Sequence, residues 1–381
     1  MRFSEPWRYR HILNSRRFLA SVWGSRRNIL AANLGVPPVS GPYMAELDVT
    51  YQCNCRCKMC QRWQDSRSEG LTQADYQRLA TDFRDLGVYQ VSIAGGEPLL
   101  RKDIFPIIEG FANQGMSVNL CTNGTLLEEY VDPLRRSGVS CITVSLDGAT
   151  ADTHETIRGN QGDYQKIKEG IRRLVAHPFH SRPMVRVRMT VCNLNVEEVT
   201  DYFDKWVTLV DHVLIQPVHY CQNAFYTGND RTIFQLDKEK LIRQLDGHPL
   251  ARELYVKPLL KSLQERGTFP QNRCYAGVLM VRIDPWGNVY PCLEQHVCVG
   301  SVRETDFNTI WNSDAFNDAR RQIFEDGTCS CWYNNTAVIS HSAKLLYLTT
   351  AQGLTNGLGR LRERSGYSLR SSASEPSLFQ G

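Results

Sequence analysis

Short β-type segments alternate with helical segments from Glu46 to about residue 217. Residue types that favour strands form six of these segments, which read ELDVTY, VYQVSIA, MSVNLC, VSCITVSL, MVRVRMTV and HVLIQP. Helical periodicity separates them near residues 72–86, 101–114, 126–137, 163–176 and 196–208, with predicted N-caps at Thr72, Asp163 and Asn195. Six β–α units in this order predict a parallel sheet with right-handed crossovers, either flat or curved into part of a barrel.

The polarity of the strands decides between these two forms. Apolar and polar residues alternate through the third, fourth and fifth strands, most clearly over residues 184–191. A parallel sheet that helices cover on both sides is apolar on both faces. One polar face instead indicates helices outside and an interior that holds a polar ligand. We therefore predict an α/β fold, a partial (β/α)6 TIM-like open barrel whose chemistry lies at the C-terminal ends of the strands.

The composition is that of an ordinary globular protein, with 42% hydrophobic and 22% charged residues among 381. No run of about 18 apolar residues occurs, so no transmembrane helix is predicted. The N-terminus lacks the uninterrupted apolar region of a signal peptide, so export is not expected. In a protein that is not secreted, thirteen cysteines indicate metal or redox chemistry rather than disulfides.

We divide the sequence into five parts. A basic amphipathic segment occupies residues 1–45, and the β–α core occupies residues 46–220. A linker or helical extension covers residues 221–272, and a small Cys-rich module covers residues 273–335. Residues 336–381 form a C-terminal extension whose tail, rich in glycine and serine, is predicted to be disordered.

Four cysteines lie within eight positions directly after the first strand, at Cys53, Cys55, Cys57 and Cys60. Three of them, Cys53, Cys57 and Cys60, have the spacing C-x-x-x-C-x-x-C. A loop with this spacing can place three thiolates around a 4Fe-4S cluster and leave the fourth iron free to bind substrate or cofactor. The alternative is a structural zinc site, which needs four ligands and would use Cys55 as the fourth.

A second motif follows the second strand, where the sequence reads GGEP at residues 95–98. The cysteine loop and this turn closely resemble the radical S-adenosylmethionine (radical SAM) superfamily, over roughly residues 44–220. The resemblance implies a 4Fe-4S cluster on Cys53, Cys57 and Cys60, whose open iron binds S-adenosylmethionine. It also implies reductive cleavage of that cofactor to a 5′-deoxyadenosyl radical, which abstracts a hydrogen atom from a substrate.

The resemblance assigns the turn after strand two to the cofactor. Its residues are expected to bind the methionyl amino group of S-adenosylmethionine, and they are Gly95, Gly96, Glu97 and Pro98. The cysteine loop departs from the family pattern at two positions. Met59 stands where the family usually has an aromatic residue, and Cys55 has no family role, so we interpret Cys55 as a spare cysteine.

Weaker family-like positions follow the later strands. Ser145, in the segment SLDG that ends strand four, resembles a position that contacts cofactor or substrate. Asn193 ends strand five, near the usual place of ribose contacts. Arg188, or its neighbour Arg186, is expected to point inward and meet a carboxylate, and the alternative for each arginine is an outward salt bridge. The segment HETIRG, residues 154–159, resembles one common in a large subgroup.

A second group of cysteines lies towards the end of the sequence. Cys274, Gly287 and Cys292 fit the opening pattern of the SPASM and twitch modules of radical SAM enzymes. The segment VRIDPWGNVYP predicts a hairpin with its turn at residues 285–287, which brings Cys274 and Cys292 together. Because a full SPASM module has more cysteines, we predict a single auxiliary 4Fe-4S cluster, as in the twitch variant. Its predicted ligands are Cys274, Cys292, Cys329 and Cys331, with Cys298 in reserve, and the alternative is a structural zinc or remnant site.

Together these features predict a radical SAM oxidoreductase, because an auxiliary cluster favours oxidation or cross-linking over isomerisation. We expect a small or lipid-linked metabolite as substrate and a low-potential electron donor of the flavodoxin or ferredoxin type. One alternative is a maturase that modifies a ribosomally made peptide, although only 45 residues precede the first strand, which disfavours a fused leader-binding domain. The other is a non-enzymatic, zinc-organised binding protein, which leaves the GGEP turn and the polar interior unexplained.

The net charge of +4 is unevenly distributed. Residues 1–45 contain seven arginines against the single acid Glu5, a net charge of +6. Arginines and aromatic residues mixed on an amphipathic helix suit an anionic membrane surface. Nucleic acid is not expected as a partner, because the body of the chain is acidic and the basic residues form no broad patch. We hypothesise a cytoplasmic protein with peripheral attachment to the inner face of the membrane, and the alternative is a helix that packs on the barrel with solvated arginines.

Overall fold

The computed structural model describes residues 16–67, 70–218, 233, 236–253, 256–267, 274–292, 297–326 and 332. The predicted disordered tail lies outside these residues. No helix in the described part of the chain combines the length and the hydropathy that crossing a bilayer requires.

One nine-stranded sheet runs through the described residues. Its strands are β1 (Met44–Thr50), β2 (Gln90–Gly95), β3 (Ser117–Thr122), β4 (Cys141–Ser145), β5 (Met184–Val191), β6 (His212–Pro217), β7 (Met280–Ile283), β8 (Asn288–Tyr290) and β9 (Gly300–Ser301). Strands β1 to β6 pair in parallel, each with the next along the chain. The prediction of six sequential β–α units is therefore confirmed.

Helices connect the parallel strands, and further helices precede β1 and follow β6. They are α1 (Arg16–Asn33), α2 (Gln73–Asp85), α3 (Ile104–Asn113), α4 (Leu127–Arg136), α5 (Ala151–Arg158), α6 (Asp163–Val175), α7 (Val199–Trp206), α8 (Lys238–Leu245), α9 (Val256–Arg266), α10 (Phe307–Asn312) and α11 (Asp314–Asp326). Helix α5 was not among the predicted helices, because its eight residues are mostly polar and too few for a clear period.

The predicted N-caps had three different outcomes. Thr72 caps α2 in a capping box with Asp75, as predicted. Asp163 is the first residue of α6, and Gly162 occupies the capping position instead. Asn195 precedes a short 3-10 turn without capping it, and its side chain accepts a hydrogen bond from the backbone of Cys192.

The sheet is curved and open, with β6 at one edge and β9 at the other. Strand β7 adds to the free edge of β1 in parallel, with Met280 beside Met44 and Ile283 beside Leu47. The hairpin of β7 and β8 therefore extends the core sheet directly. The structure agrees with a partial TIM-like barrel, and the Cys-rich module continues the sheet of that barrel.

The two faces of the sheet differ as the alternation predicted. On the outer face, Val185, Val187 and Met189 are fully buried and belong to the same hydrophobic core as residues of α6. On the inner face, Asn119 donates to the Ser92 hydroxyl at 3.1 Å and accepts from Arg186 at 2.7 Å. A ladder of hydrogen-bonded polar side chains thus crosses the strands inside the barrel.

Glycine sets the distance between α4 and α6. A Cβ atom on Gly170 of α6 would lie 2.6 Å from the Cβ of Leu127 and 2.9 Å from the backbone nitrogen of Glu128. Gly110 of α3 is a matched helical glycine, because a Cβ placed there would meet nothing within 4 Å.

We expect Gly170→Ala to destabilise the protein by about 1–3 kcal/mol, because the added methyl group overpacks the helix contact. Gly110→Ala should instead stabilise it by up to about 1 kcal/mol, since alanine has the higher helix propensity. Urea unfolding of both variants beside the wild type measures the two effects. If both variants were stabilised alike, the close α4–α6 contact would be contradicted.

Candidate functional site

The cysteine loop lies at the C-terminal end of β1, on the wall of a cavity inside the barrel. Cys53, Cys57 and Cys60 are half-buried and line this cavity. The end of α5 supports the loop from behind, because the backbone nitrogens of Arg56 and Lys58 donate to the carbonyls of Arg158 and Ile157, both at 3.0 Å. The local fold thus turns three thiols towards one space.

Glycine is required where α5 meets the cysteine loop. Gly159 ends α5 with a φ of 80°, in the left-handed region. A Cβ atom on Gly159 would lie 2.6 Å from the carbonyl oxygen of Arg56. The HETIRG segment therefore ends in glycine because the helix end and the loop touch backbone to backbone.

Hydrogen bonds among the thiols divide them into donors and acceptors. Side-chain hydrogen bonds from Cys55 lower the pKa of Cys53 to about 6 and also lower the pKa of Cys57. The same bonds raise the pKa of Cys55, whose side chain is only 2% exposed. Burial raises the pKa of Cys60 to about 11. The pKa values of the four thiols thus differ although the cysteines are close in sequence.

The turn after β2 packs directly on the end of β1. A Cβ atom on Gly95 would lie 2.2 Å from the Thr50 carbonyl oxygen, and one on Gly96 would lie 2.2 Å from that of Gln52. The backbone nitrogen of Glu97 donates to the Gln52 carbonyl at 2.8 Å. Both glycines line the cavity, so their backbone is presented to whatever the cavity holds.

Glu97 and Pro98 differ from the two glycines, since neither is among the residues that line the cavity. The buried Glu97 carboxylate accepts hydrogen bonds from the Thr122 hydroxyl at 2.8 Å and from the Asn123 backbone at 2.7 Å. Burial raises its pKa to about 7. Glu97 therefore ties the turn to the end of β3, where Thr122 and Asn123 line the cavity.

A buried ion pair connects the cysteine loop to the later strands. The Arg158 Nε lies 2.6 Å from Asp147 Oδ2, and its Nη1 lies 3.7 Å from the Cys57 sulfur. Burial alone would lower the pKa of Arg158, but Asp147 and the nearby thiols raise it. Asp147 also accepts from the backbone nitrogen of Thr190 at 2.7 Å. One arginine thus links β4, β5 and the loop.

A second buried ion pair closes the other side of the cavity. Arg62 donates to Asp48 at 2.9 Å and to the Gly95 carbonyl at 3.2 Å. Glu46 lines the cavity nearby, and its pKa is raised to about 7 by burial and by Asp48. Arg62, Arg188 and Arg282 act in the opposite direction on Glu46. The cavity wall therefore carries charges of both signs.

The residues predicted on β4 and β5 fall into two groups. Ser145 and Arg188 line the cavity together with the cysteines and glycines. Arg186 also points inward, but its guanidinium bonds to Asn119. Asn193 is exposed beyond β5, and its side-chain oxygen accepts from the Asp237 backbone at 2.7 Å. Both arginines lie on the inner face of the sheet, and contact of either one with a cofactor or substrate carboxylate stays a prediction.

Sequence reasoning missed the two ion pairs of the cavity wall. Arg158 stands inside the HETIRG segment, which was singled out without a role for that residue. Asp48 and Glu46 alternate with apolar residues in β1, so the inward direction of both carboxylates was readable from the sequence. Arg62 gave no such signal, because it lies in a 3-10 turn of only three residues after the cysteines.

The second cysteine group lies near the other end of β1. Cys274 and Cys292 pack in one cluster with Met44 and Met280, which begin β1 and β7. The hairpin turn is as predicted, since Gly287 has a φ of 92° and its nitrogen donates to the Asp284 carbonyl. Cys298 is exposed, and its thiol donates to the Gly300 carbonyl at 3.4 Å. Cys329 and Cys331 lie outside the described residues.

The donor set of the cavity fits an iron–sulfur cluster. Three half-buried thiols line one wall, and the exposed backbone of a glycine turn lines the same space. Because the active sites of parallel α/β barrels lie at the C-terminal ends of the strands, this cavity is the candidate active site.

Comparison with known families identifies the class. Residues 47–205 match the model of the radical SAM superfamily, and residues 274–332 match that of the SPASM iron-sulfur cluster-binding domain. The chain belongs to the radical SAM superfamily and carries a C-terminal SPASM domain. The radical SAM domain accordingly implies a 4Fe-4S cluster and S-adenosylmethionine as cofactors, and the SPASM domain implies auxiliary iron–sulfur clusters.

Curated relatives share different lengths of the chain. Over 324 residues it is 28% identical to the AdoMet-dependent heme synthase of Methanosarcina barkeri, which covers 77% of this chain and 89% of the synthase. Over 163 residues it is 34% identical to the GTP 3′,8-cyclase of Geobacter sulfurreducens, which covers 41% of this chain and 49% of the cyclase. The chain thus spans about half the length of that cyclase.

Solved structures share the fold. SuiB of Streptococcus suis, bound to S-adenosylmethionine, superposes with a TM-score of 0.58 at 18% identity, over 81% of this chain and 74% of SuiB. The protein anSMEcpe with bound AdoMet gives a TM-score of 0.56 at 14% identity, over 82% of this chain and 97% of anSMEcpe. Both comparisons confirm the open α/β barrel.

We expect Arg158→Gln to destabilise the protein by about 3–5 kcal/mol, because it leaves the buried Asp147 carboxylate without its partner. Arg172→Gln is the matched control, since Arg172 pairs with Glu169 on the surface of α6 and should change stability little. Chemical unfolding under reducing conditions compares the two variants. Equal losses would show that the Arg158 pair does not stabilise the fold.

Proposed function

We propose that the chain is a radical SAM oxidoreductase that acts on a small or lipid-linked metabolite. The observation that supports this most is the cavity, where three thiols, the Gly95–Gly96 backbone, Ser145 and Arg188 meet. When bound, the cluster and S-adenosylmethionine would supply, through reductive cleavage of the cofactor, a radical that can abstract a hydrogen atom from a substrate.

Cys53, Cys57 and Cys60 are the proposed ligands of the cluster. The pKa values of Cys53 and Cys57 are already lowered by hydrogen bonds, which favours the thiolate form that metals require. Cys55 is buried and also lines the cavity, and we assign it no ligand role because it lies outside the three-cysteine spacing. The Asn123 Nδ2 lies 3.9 Å from the Cys53 sulfur, and the Arg158 Nη1 lies 3.7 Å from the Cys57 sulfur.

The proposed cofactor contacts lie beside the thiols. The Gly95 and Gly96 backbone faces the cavity and suits the amino group of S-adenosylmethionine, while Glu97 and Pro98 hold that turn in place. Ser145 and Arg188 lie across the cavity on β4 and β5, where Arg188 can meet a carboxylate of cofactor or substrate. For Asn193 to contact the ribose of the cofactor, its side-chain oxygen would first have to release the hydrogen bond from the Asp237 backbone nitrogen.

A small metabolite is favoured over a peptide as substrate. The relative that aligns over most of both chains is named a heme synthase, which indicates a small molecule rather than a peptide as the compound that it acts on. SuiB has been solved with the precursor peptide SuiA, which supports a maturase as the second candidate. At 17% identity that likeness reflects the shared fold alone. The family matches also favour iron–sulfur chemistry over the zinc-organised alternative.

The SPASM domain is proposed to hold one auxiliary cluster. Cys274 and Cys292 already pack together, and Cys329 and Cys331 would complete the set, with Cys298 in reserve. An auxiliary cluster suits a reaction that removes an electron from the substrate. A low-potential donor of the flavodoxin or ferredoxin type would supply the electron that starts the reaction.

The ligand assignment is tested by alanine substitution in the first cysteine group. Cys53→Ala, Cys57→Ala and Cys60→Ala should each abolish formation of 5′-deoxyadenosine, because each removes one of three cluster ligands. Cys55→Ala is the internal control and should retain cleavage. Anaerobic reconstitution followed by chromatography of the products measures this. Full loss in Cys55→Ala, with cleavage retained in any of the other three variants, would refute the assignment.

The auxiliary cluster is tested separately. Cys274→Ala or Cys292→Ala should remove about half of the iron per chain and leave cofactor cleavage measurable. The physical reason is distance, since β1 is 7 residues long and separates the two cysteine groups by roughly 20 Å. Iron and sulfide analysis beside the cleavage assay checks it. Simultaneous loss of all iron and all cleavage would show that the two sites depend on each other.

A further inference from the structure

Helix α1 buries Ile29 and Ala31, yet it also buries three polar side chains and exposes large apolar ones. Ser21, Ser25 and Asn28 are buried against the protein, whereas Trp23 is 65% exposed and Leu19 is 52% exposed. A helix that only packs on a barrel does the reverse, because burial of apolar surface stabilises it. The outward face is therefore the feature that needs an explanation.

Specific hydrogen bonds fix this orientation of α1. Asn28 donates to the carbonyls of Ser40 and Gly41, both at 3.1 Å, and accepts from the backbone nitrogens of Val39 and Ser40. Arg17 donates to the Val88 carbonyl at 2.9 Å. Rotation of the helix to bury Trp23 would break these buried bonds, so the outward face is built into the fold.

Leu19, Trp23 and Leu30 are exposed at helical spacing on one side of α1, which we call the α1 face. Ten large hydrophobic side chains are exposed in the described part of the chain, and six of them lie between residues 19 and 39. These six are Leu19, Trp23, Leu30, Leu34, Val36 and Val39. Such a concentration in one short segment marks an interaction surface rather than scattered exposure.

The charge of the α1 face has a single sign. Helix α1 contains four arginines and no acidic residue or lysine. Arg16 and Arg27 are exposed on the same side as Leu19 and Trp23, and Arg26 lies 5.7 Å from the centre of the Trp23 ring. Among the described residues, no ion pair involves Arg16, Arg26 or Arg27. The face thus combines an apolar strip with a positive border.

We propose that the α1 face docks on an anionic membrane surface. An interfacial helix places its leucines and tryptophan at the boundary of headgroups and acyl chains, with arginines at the lipid phosphates. Trp23 suits that position, because its ring is apolar and its N–H is polar. An acidic redox protein fits less well, since electron-transfer contacts are small and do not need six apolar side chains.

The position of α1 keeps the cavity accessible while the protein is docked. Arg17 bonds to Val88 and Gln114, which precede β2 and β3, so the helix crosses the N-terminal ends of these strands. The cysteine loop and the cavity lie at the opposite, C-terminal ends. Membrane docking is therefore independent of the proposed reaction, and each can be tested without the other.

Co-sedimentation of the full-length protein with vesicles tests the proposal. Vesicles of phosphatidylcholine with phosphatidylglycerol should bind the wild type, and vesicles of phosphatidylcholine alone or high salt should weaken binding. Arg16→Glu/Arg27→Glu should reduce the affinity for anionic vesicles by about tenfold or more. Leu19→Ser/Trp23→Ser should reduce it comparably, because the apolar contact is lost.

Matched variants elsewhere on the surface control for charge and hydrophobicity. Lys168→Glu/Lys257→Glu changes the charge equally, and Leu194→Ser/Leu209→Ser removes two exposed leucines away from α1. Both should bind anionic vesicles like the wild type. Circular dichroism and thermal midpoints are measured to check that all four variants fold. S-adenosylmethionine cleavage should be unchanged in the two α1 variants.

Three outcomes would overturn the proposal. The first is a failed vesicle assay: either the wild type does not bind anionic vesicles, or the Arg16→Glu/Arg27→Glu variant binds them as well as the wild type does. The second is a wild-type dimer in light scattering that Leu19→Ser/Trp23→Ser converts to a monomer, since a second copy would then cover the face. The third is α1-dependent binding of an acidic flavodoxin in place of vesicles.

Discussion

The close approach of the Gly95–Gly96 turn to the end of β1 determines the geometry of the site. Any side chain at either glycine would overlap the carbonyl oxygens of Thr50 or Gln52. The Gly96 nitrogen bonds to the Thr50 carbonyl, and the Glu97 nitrogen bonds to that of Gln52. Because Cys53 follows directly, the turn and the cysteine loop form one backbone unit. The thiols can therefore lie beside the glycine backbone only while this contact is intact.

Pairing of charges makes the polar interior of the barrel possible. Asp48 and Asp147 are completely buried, and each lies against an arginine, Arg62 and Arg158. A buried carboxylate without a partner would cost several kcal/mol, about the margin by which a domain is stable. Both arginines also contact the residues around the cavity, since Arg62 bonds to the Gly95 carbonyl and Arg158 lies near the Cys57 sulfur. The charges that stabilise the interior thus also position the cavity wall.

Local patterns in the sequence predicted the barrel, the cysteine loop and the hairpin, because each depends on neighbours in the chain. The pairing of β7 with β1 was not predictable, since it joins residues far apart and has no local signal. The orientation of α1 was not predictable either. Phe18, Leu19 and Trp23 lie close together in the sequence of α1, yet Phe18 contacts Tyr89 while the other two face outward. The hydrogen bonds of Asn28 and Arg17 fix the rotation of α1 about its axis. Hydrophobic periodicity cannot predict such bonds, because it depends only on where apolar residues occur in the sequence.

Strand β1 relates the two cysteine groups to the substrate space. Cys53 follows its C-terminal end, and Cys274 and Cys292 pack beside Met44 at its first residue. Glu46, near the middle of the strand, lines the cavity that also contains Arg188. On the proposed function, a substrate held by these side chains lies between the two groups of thiols. Hydrogen abstraction would then occur near the C-terminal end of β1 and electron removal towards its N-terminal end. The length of this strand would thus set the distance between the two steps of the oxidation.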